Sequence, residues 1–296
     1  MKAVVLGAAA GGGFPQWNCG CSNCSLARQG DEHARPRTQS GVAVSGDGRA
    51  WILLNASPDL GAQLRATPLL WPARGELRHS PIAAVVLTSA EIDQIAGLLN
   101  LREGHAFDLV ALEPVHAVLA ANPVFGVLAG ARRVVAGSGP ARLPGGLEVE
   151  LFPVSGKAPL YEEGEDPRLG SEAGEVCGVL VRSSGRVLAY VPGCAEITPA
   201  LRESLAAADA VLFDGTLYTD DEMIRLGAGI KTGRRMGHVP VSGEGGSLAF
   251  LSGLPGRKIY VHINNTNPIL IHGSGEHRAV RDAGVEIGWD GMEIVL

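Results

Sequence analysis

Short apolar runs punctuated by glycine, proline and small polar residues recur along the whole chain. Read as half-buried or fully buried strands, they predict β-structure over 2–6, 40–45, 51–54, 83–87, 109–112, 147–154, 177–182, 186–191, 210–213, 258–263, 285–289 and 293–296. Helical periodicity appears near 92–103, 115–121, 198–206, 246–252 and 275–282. A further helix is expected after Ser57-Pro58-Asp59, where Ser57 can cap and Pro58 suits the first helical position. The strings GDG and SSG separate adjacent strands and read as hairpin turns, because glycine supplies the positive φ they need. Helices interleave with the later strands. Hairpins followed by interleaved helices fit two mixed β-sheets flanked by helices, an αββα sandwich in the α+β class, occupying residues 1–296 as one domain. The Gly-, Pro- and acid-rich stretch 156–175 is expected to be a surface excursion or a lid.

Bulk properties narrow the field. The chain has 296 residues, 46% of them hydrophobic and 19% charged, as in an ordinary globular protein. Its formal charge of −6, with no Lys/Arg-rich run, argues against nucleic acid as a partner. The N-terminal apolar run dissolves into glycine, as a buried first strand would, and no segment approaches the roughly 18 apolar residues of a membrane span. A cytoplasmic location is expected.

Of the five cysteines, Cys19, Cys21 and Cys24 crowd into NCGCSNC. Thiolates at that spacing on a loop of small residues can converge on one ion, and zinc is the usual occupant. The plain alternative is a set of incidental buried thiols, but clustering in a cysteine-poor chain favours a structural zinc. Its fourth ligand is left open among His33, Cys194, Asn265 and His272. GAAAGGG (7–13) lacks the spacing of a nucleotide loop and reads as tight backbone packing. Asp93, Asp214 and His262 each stand where an apolar strand gives way to a loop, and His238 lies on a Gly-rich basic loop. Singly, each could be a capped turn or a satisfied core histidine. Together they repeat one theme, a metal-competent residue at a strand end.

Several strings, in order along the chain, carry a resemblance: GAAAGGGFPQWNCGCSNC, RPRTQS, LLNASPD, GLLNLREG, LFDGT, KTGRRMGH and VHINNTNPIL. They are similar to the coenzyme PQQ synthesis protein B family of the metallo-β-lactamase superfamily. The resemblance implies that superfamily's fold and a role in making pyrroloquinoline quinone (PQQ) from a peptide-borne Glu and Tyr. The superfamily's H-x-H-x-D-H motif falls on Ser89, Glu91, Asp93 and Gln94, with a third first-metal ligand expected around 155–157, where none of the residues is histidine. The first metal is therefore expected to be absent. The second would be held by Asp93, Gln94, Asp214 and His262, with His238 either a further ligand or an acid–base group. Losing one ion of a pair disfavours hydrolysis, and a His/carboxylate set approaches that of non-haem iron oxygenases. The resemblance thus implies an Fe(II)-dependent hydroxylation of the tyrosine-derived ring, with catalytic residues Asp93, Asp214, His238 and His262. Arg37, Lys231, Arg234 and Arg235 are candidates to hold the carboxylates of a small-molecule or short-peptide precursor. Other PQQ-biosynthesis proteins are expected as partners. A non-catalytic carrier and a single-metal hydrolase are the competing readings.

Overall fold

The computed structural model describes residues 1–128, 130–137, 139–162 and 170–296. The strands are β1 (Lys2–Gly7), β2 (Gly41–Ser45), β3 (Trp51–Leu54), β4 (Ile82–Val86), β5 (Phe107–Ala111), β6 (Ala131–Val135), β7 (Ala141–Leu143), β8 (Leu147–Pro153), β9 (Cys177–Ser183), β10 (Arg186–Val191), β11 (Ala210–Asp214), β12 (Arg257–Val261), β13 (Glu286–Ile287) and β14 (Glu293–Val295). Between them lie α1 (Ser22–Arg28), α2 (Leu60–Ala66), α3 (Ile92–Ile95), α4 (Glu113–Ala121), α5 (Pro199–Leu205), α6 (Glu222–Arg225), α7 (Ser247–Ser252) and α8 (Gly275–Asp282).

Two seven-stranded mixed sheets result, in the orders β14-β1-β2-β3-β4-β5-β6 and β13-β12-β11-β10-β9-β8-β7. Their hairpin halves are antiparallel, while β3 to β6 and β10 to β13 run parallel. Side chains alternate across each strand. Val42, Val44, Ile52, Leu54 and Val86 face Val179, Val181, Leu188, Leu212 and Val261 in the inner core. The opposite faces bury Leu53, Val85, Leu60, Leu98 and Val115 on one side, and Val211, Phe213, Leu205, Phe250 and Val280 on the other. Helices α2 to α4 cover the first sheet, and α5, α7 and α8 cover the second. The αββα sandwich of the metallo-β-lactamase fold follows from strands that are apolar on both faces, since each sheet needs an outer cover as well as an inner partner.

The small residues after β1 join the sheets. Ala9 bridges Gln39 on one side and Ile263 on the other, and the Ala10 amide donates to the Ile263 carbonyl at 2.9 Å. Alanine side chains keep this seam thin. GAAAGGG is thus a splice between two sheets, set against the end of β12.

Some boundaries differ from expectation. The helix near 92–103 is one α-turn followed by a 3₁₀ segment, Ala96–Leu101. Ser57 does not cap α2; its hydroxyl faces the Gln63 amide oxygen at 3.3 Å, and α2 begins at Leu60. Strands β6 and β7 and helices α1 and α6 carry no clear periodic signal because they are short. Residues 163–169 of the expected 156–175 lid lie outside the described residues; Gly156 pairs with Ser171 as a bridge.

Gly97 shows how tightly the helical segment sits on the strand ends. Its amide donates to the Ala56 carbonyl at 2.8 Å, and a Cβ here would lie 2.0 Å from the Ser57 carbonyl oxygen. Gly97→Ala must push the 91–101 segment off 55–57. We expect a loss of about 1–3 kcal/mol, read as a lower urea midpoint with an unchanged slope.

Candidate metal centre

The parallel strands β4, β11 and β12 each lead at their C-terminal ends into a functional residue. β11 ends in Asp214, β12 leads into His262, and the turn after β4 leads into Asp93. His238 comes from the loop that follows the 3₁₀ segment Arg234–Met236.

Asp214 is fully buried, and its oxygens are satisfied by groups from three loops. Oδ1 accepts from the Thr216 amide at 3.0 Å and the Thr216 hydroxyl at 2.6 Å. Oδ2 accepts from the Cys194 amide at 3.0 Å and faces His238 Nδ1 at 2.7 Å. Ligand atoms of Asp214, His238 and His262 all lie within 4.8 Å of one another, and the two imidazoles stack with centroids 5.2 Å apart. Asp93 joins through its Oδ2, 2.8 Å from His262 Nε2. Burial alone would lower the His262 pKa, but the Asp93 carboxylate outweighs it and raises it; burial would raise Asp93, and His262 outweighs that and lowers it. His262 has φ of +53°, a left-handed conformation that histidine tolerates better than most residues.

The converging donors are the Asp214 carboxylate and the imidazoles of His238 and His262, with the Asp93 carboxylate against His262 Nε2 beside them, a set of types that suits a divalent transition metal such as iron or zinc. Gln94 does not join it. Its side-chain oxygen accepts from the Thr88 hydroxyl at 2.6 Å and the Ser89 hydroxyl at 3.0 Å. Those bonds, with Asn55 binding Thr88, lock the β4 turn rather than offer a lone pair to a metal. His238, rather than Gln94, belongs to the converging set.

The positions of the other superfamily metal form an internal ion pair. Lys157 Nζ lies 2.9 Å from Glu91 Oε1, with the lysine side chain 9% exposed. The loop carrying His238 rests on this lysine: Gly237 has φ of +89°, and a Cβ there would stand 3.3 Å from Lys157 Cγ. Sequence reading noted that 155–157 lacks a histidine but missed that its lysine brings a cation of its own. Thr216 was also missed, although LFDGT places it two residues beyond Asp214. Its hydroxyl donates to Asp214 and lies 2.9 Å from His262 Nδ1 and 3.0 Å from the His262 carbonyl oxygen.

Among the residues expected to hold carboxylates, Lys231, Arg234 and Arg235 sit half-buried just before His238. Arg37 does not join them. Its Nε donates to the Gly288 carbonyl at 2.9 Å, and it lines a separate cleft.

The sulfurs of Cys19, Cys21 and Cys24 converge, as a thiolate metal site requires. Burial pushes Cys19 up, but hydrogen bonds from Cys21, Cys24 and Asn265 outweigh it and hold it low; Cys21 is pushed up to about 11, chiefly by burial. Of the candidates for a fourth ligand, Asn265 reaches the cluster: its amide nitrogen lies 3.1, 3.3 and 3.7 Å from the sulfurs of Cys19, Cys24 and Cys21. A half-turn of an amide presents its oxygen to the same point. His33 and His272 stack on each other instead, and Cys194 lies beside Asp214. Asn23, between the cysteines, donates to the carbonyls of Asn265, Thr266 and Asn267 at 3.2, 3.0 and 3.1 Å. The thiolate loop therefore grips the turn that begins at His262.

Comparison with known proteins gives one consistent picture. Residues 50–263 match the model of the beta-lactamase superfamily domain. Coenzyme PQQ synthesis protein B of Methylobacterium nodulans is 53% identical over 300 residues, covering all of both chains. The crystal structure of Zn(2+)-bound PqqB from Methylobacterium extorquens superposes with a TM-score of 0.96 at 48% identity, again over the full length of both. A diphosphatase from the PhnP family, at 21% identity and a TM-score of 0.70, shares the fold.

Thr216→Val keeps the shape of the side chain and removes its hydroxyl from Asp214 and His262. Affinity for the rim metal should fall about 10–100-fold, measured by chelator competition, with the fold intact by circular dichroism. Cys24→Ser should lower the zinc content of zinc-loaded protein, lower the melting temperature, and weaken metal retention at the rim, checked by elemental analysis and thermal melts.

Proposed function

The chain belongs to the coenzyme PQQ synthesis protein B family and acts in PQQ biosynthesis, and from that premise we propose that it is an iron-dependent oxygenase that hydroxylates the tyrosine-derived ring of a Glu-Tyr precursor. The observation that carries this reading is the Glu91–Lys157 pair at one metal position, beside converging donors from Asp214, His238 and His262 with Asp93 bonded to His262. Two-ion hydrolysis needs a cation on each side of the reacting centre. Here one of those places holds an ammonium that cannot coordinate water.

Asp93, Asp214, His238 and His262 would hold the metal. Bound ferrous iron would supply oxygen activation. The zinc in the Methylobacterium extorquens relative is compatible, because imidazole and carboxylate donors accept either ion. The protein's own groups do the rest. Thr216 and the Cys194 amide fix Asp214, so the carboxylate does not swing. Asp93 orients His262 across the rim. Gln94, Thr88 and Asn55 freeze the turn that carries Asp93. Lys157 is held against Glu91, and Lys231, Arg234 and Arg235, just before His238, bring positive charge that suits a substrate carboxylate or phenolate. The substrate we infer is a small molecule or short peptide bearing amino-acid carboxylates, recognised by paired guanidinium hydrogen bonds.

Asp93→Ala and His262→Ala should each abolish iron retention and precursor-dependent oxygen consumption. Both are read by elemental analysis and an oxygen electrode on anaerobically iron-loaded protein. A carrier would go on binding precursor and consume no oxygen in either form, and a hydrolase would turn over with zinc alone; either result defeats the proposal.

A further inference from the structure

A second cleft, of about 560 Å³, opens between the 32–37 loop, the 270–281 segment and the end of β13, and none of the rim metal residues lines it. Three arginines face it, Arg35, Arg37 and Arg281, together with His33, His272 and His277. The imidazoles form a contiguous row: His33 stacks on His272 with centroids 5.8 Å apart, and His272 meets His277 edge-on at 4.9 Å. Gathering so many cationic and imidazole groups in a chain of net charge −6 costs electrostatic repulsion, which an anionic ligand would relieve.

The nearby acids do not neutralise this set. Glu286 is committed to Arg257 through two bonds, at 2.9 and 3.0 Å, and the exposed Glu32 lies 3.7 Å from His33. Among the described residues no carboxylate pairs with Arg35 or Arg281. Arg37 is fixed by the Gly288 carbonyl, so its guanidinium is preorganised. Burial first, then Arg35, pull its pKa down to about 10 against the opposing pull of Asp290. Burial lowers the His277 pKa, with His272, Arg281 and Arg37 pulling the same way against its hydrogen bond to the Ile269 carbonyl, and an anion in the cleft would favour its charged form. The histidine nitrogens do not converge as a metal site, since among the described residues the converging sets are the two at the cysteines and the rim. Leu270, Ile287 and the half-exposed Trp289 indole give the cleft an apolar wall, which suits an organic body on the ligand.

We propose that this cleft binds a small polyanion carrying more than one carboxylate or phosphate group, independently of the rim metal centre. Fork-shaped guanidiniums on two sides can each take one anionic group in parallel hydrogen bonds. Arg35 and Arg281 lie on the surface, so replacing them leaves the core untouched.

The test is calorimetric titration of metal-loaded protein with citrate and, separately, with pyrophosphate at low salt. The Arg35→Ala/Arg281→Ala double variant is titrated alongside. We expect at least one ligand to bind wild type, the double variant to bind it about 100-fold more weakly, at roughly tenfold per guanidinium, and saturation to shift the imidazole proton signals of His33, His272 and His277. Preference for citrate identifies an organic carboxylate, and preference for pyrophosphate a phosphate. Three results overturn the proposal: binding of neither ligand, equal binding by the double variant, or loss of binding in Asp93→Ala, which would put the anion on the rim metal.

Discussion

A carboxylate with no exposure to water cannot stand without partners, and Asp214 is that carboxylate. Unpaired, such a group costs several kcal/mol. Its oxygens are met by the Cys194 amide after β10, by the Thr216 amide and hydroxyl after β11, and by His238 from the basic loop. The donors come from two excursions of the second sheet, the β10–β11 and β11–β12 connections. Thr216 carries the constraint one strand further, to His262 after β12. The conformation of the rim is thus set by hydrogen bonding to one buried group before any metal contributes.

Much of this was legible in the sequence. Apolar strands ending in Asp214 and His262, and the turn bearing Asp93, were visible because a strand-to-loop switch in hydropathy marks where functional side chains collect. The cysteine cluster was visible from spacing alone. Thr216 was not, because a threonine following Asp-Gly has no compositional signal; its importance comes from reaching three groups at once. Gln94 looked like a weakened ligand because it stands on a histidine position. Its amide oxygen instead finds two hydroxyls within the same turn, a local arrangement that no periodicity reports. Arg37 resembled a substrate group only by its charge, and the Gly288 carbonyl, distant in sequence, decides where it points.

The Glu91–Lys157 pair puts paired charges where the superfamily's other metal position falls. Removing a cation from between the sheets would leave the remaining acids in mutual repulsion. A nearly buried ammonium 2.9 Å from Glu91 restores a positive charge at that side of the rim. Ser89 closes the gap by binding Gln94 rather than solvent. The pair balances its own charge, and the His238 loop rests on the same lysine through Gly237. The thiolate loop supplies the other support, since Asn23 and Asn265 tie it to the turn after His262.

The left-handed torsion at His262 has a consequence for which residues natural variation can accept there. Outside glycine, asparagine, aspartate and histidine enter that region most readily, and branched or bulky side chains pay strain. Asparagine would bring a weak donor, aspartate would add charge to an already acidic rim, and glycine would bring nothing. Main-chain geometry therefore acts as a sieve at this position, admitting an imidazole for reasons of shape before its affinity for any ion is tried.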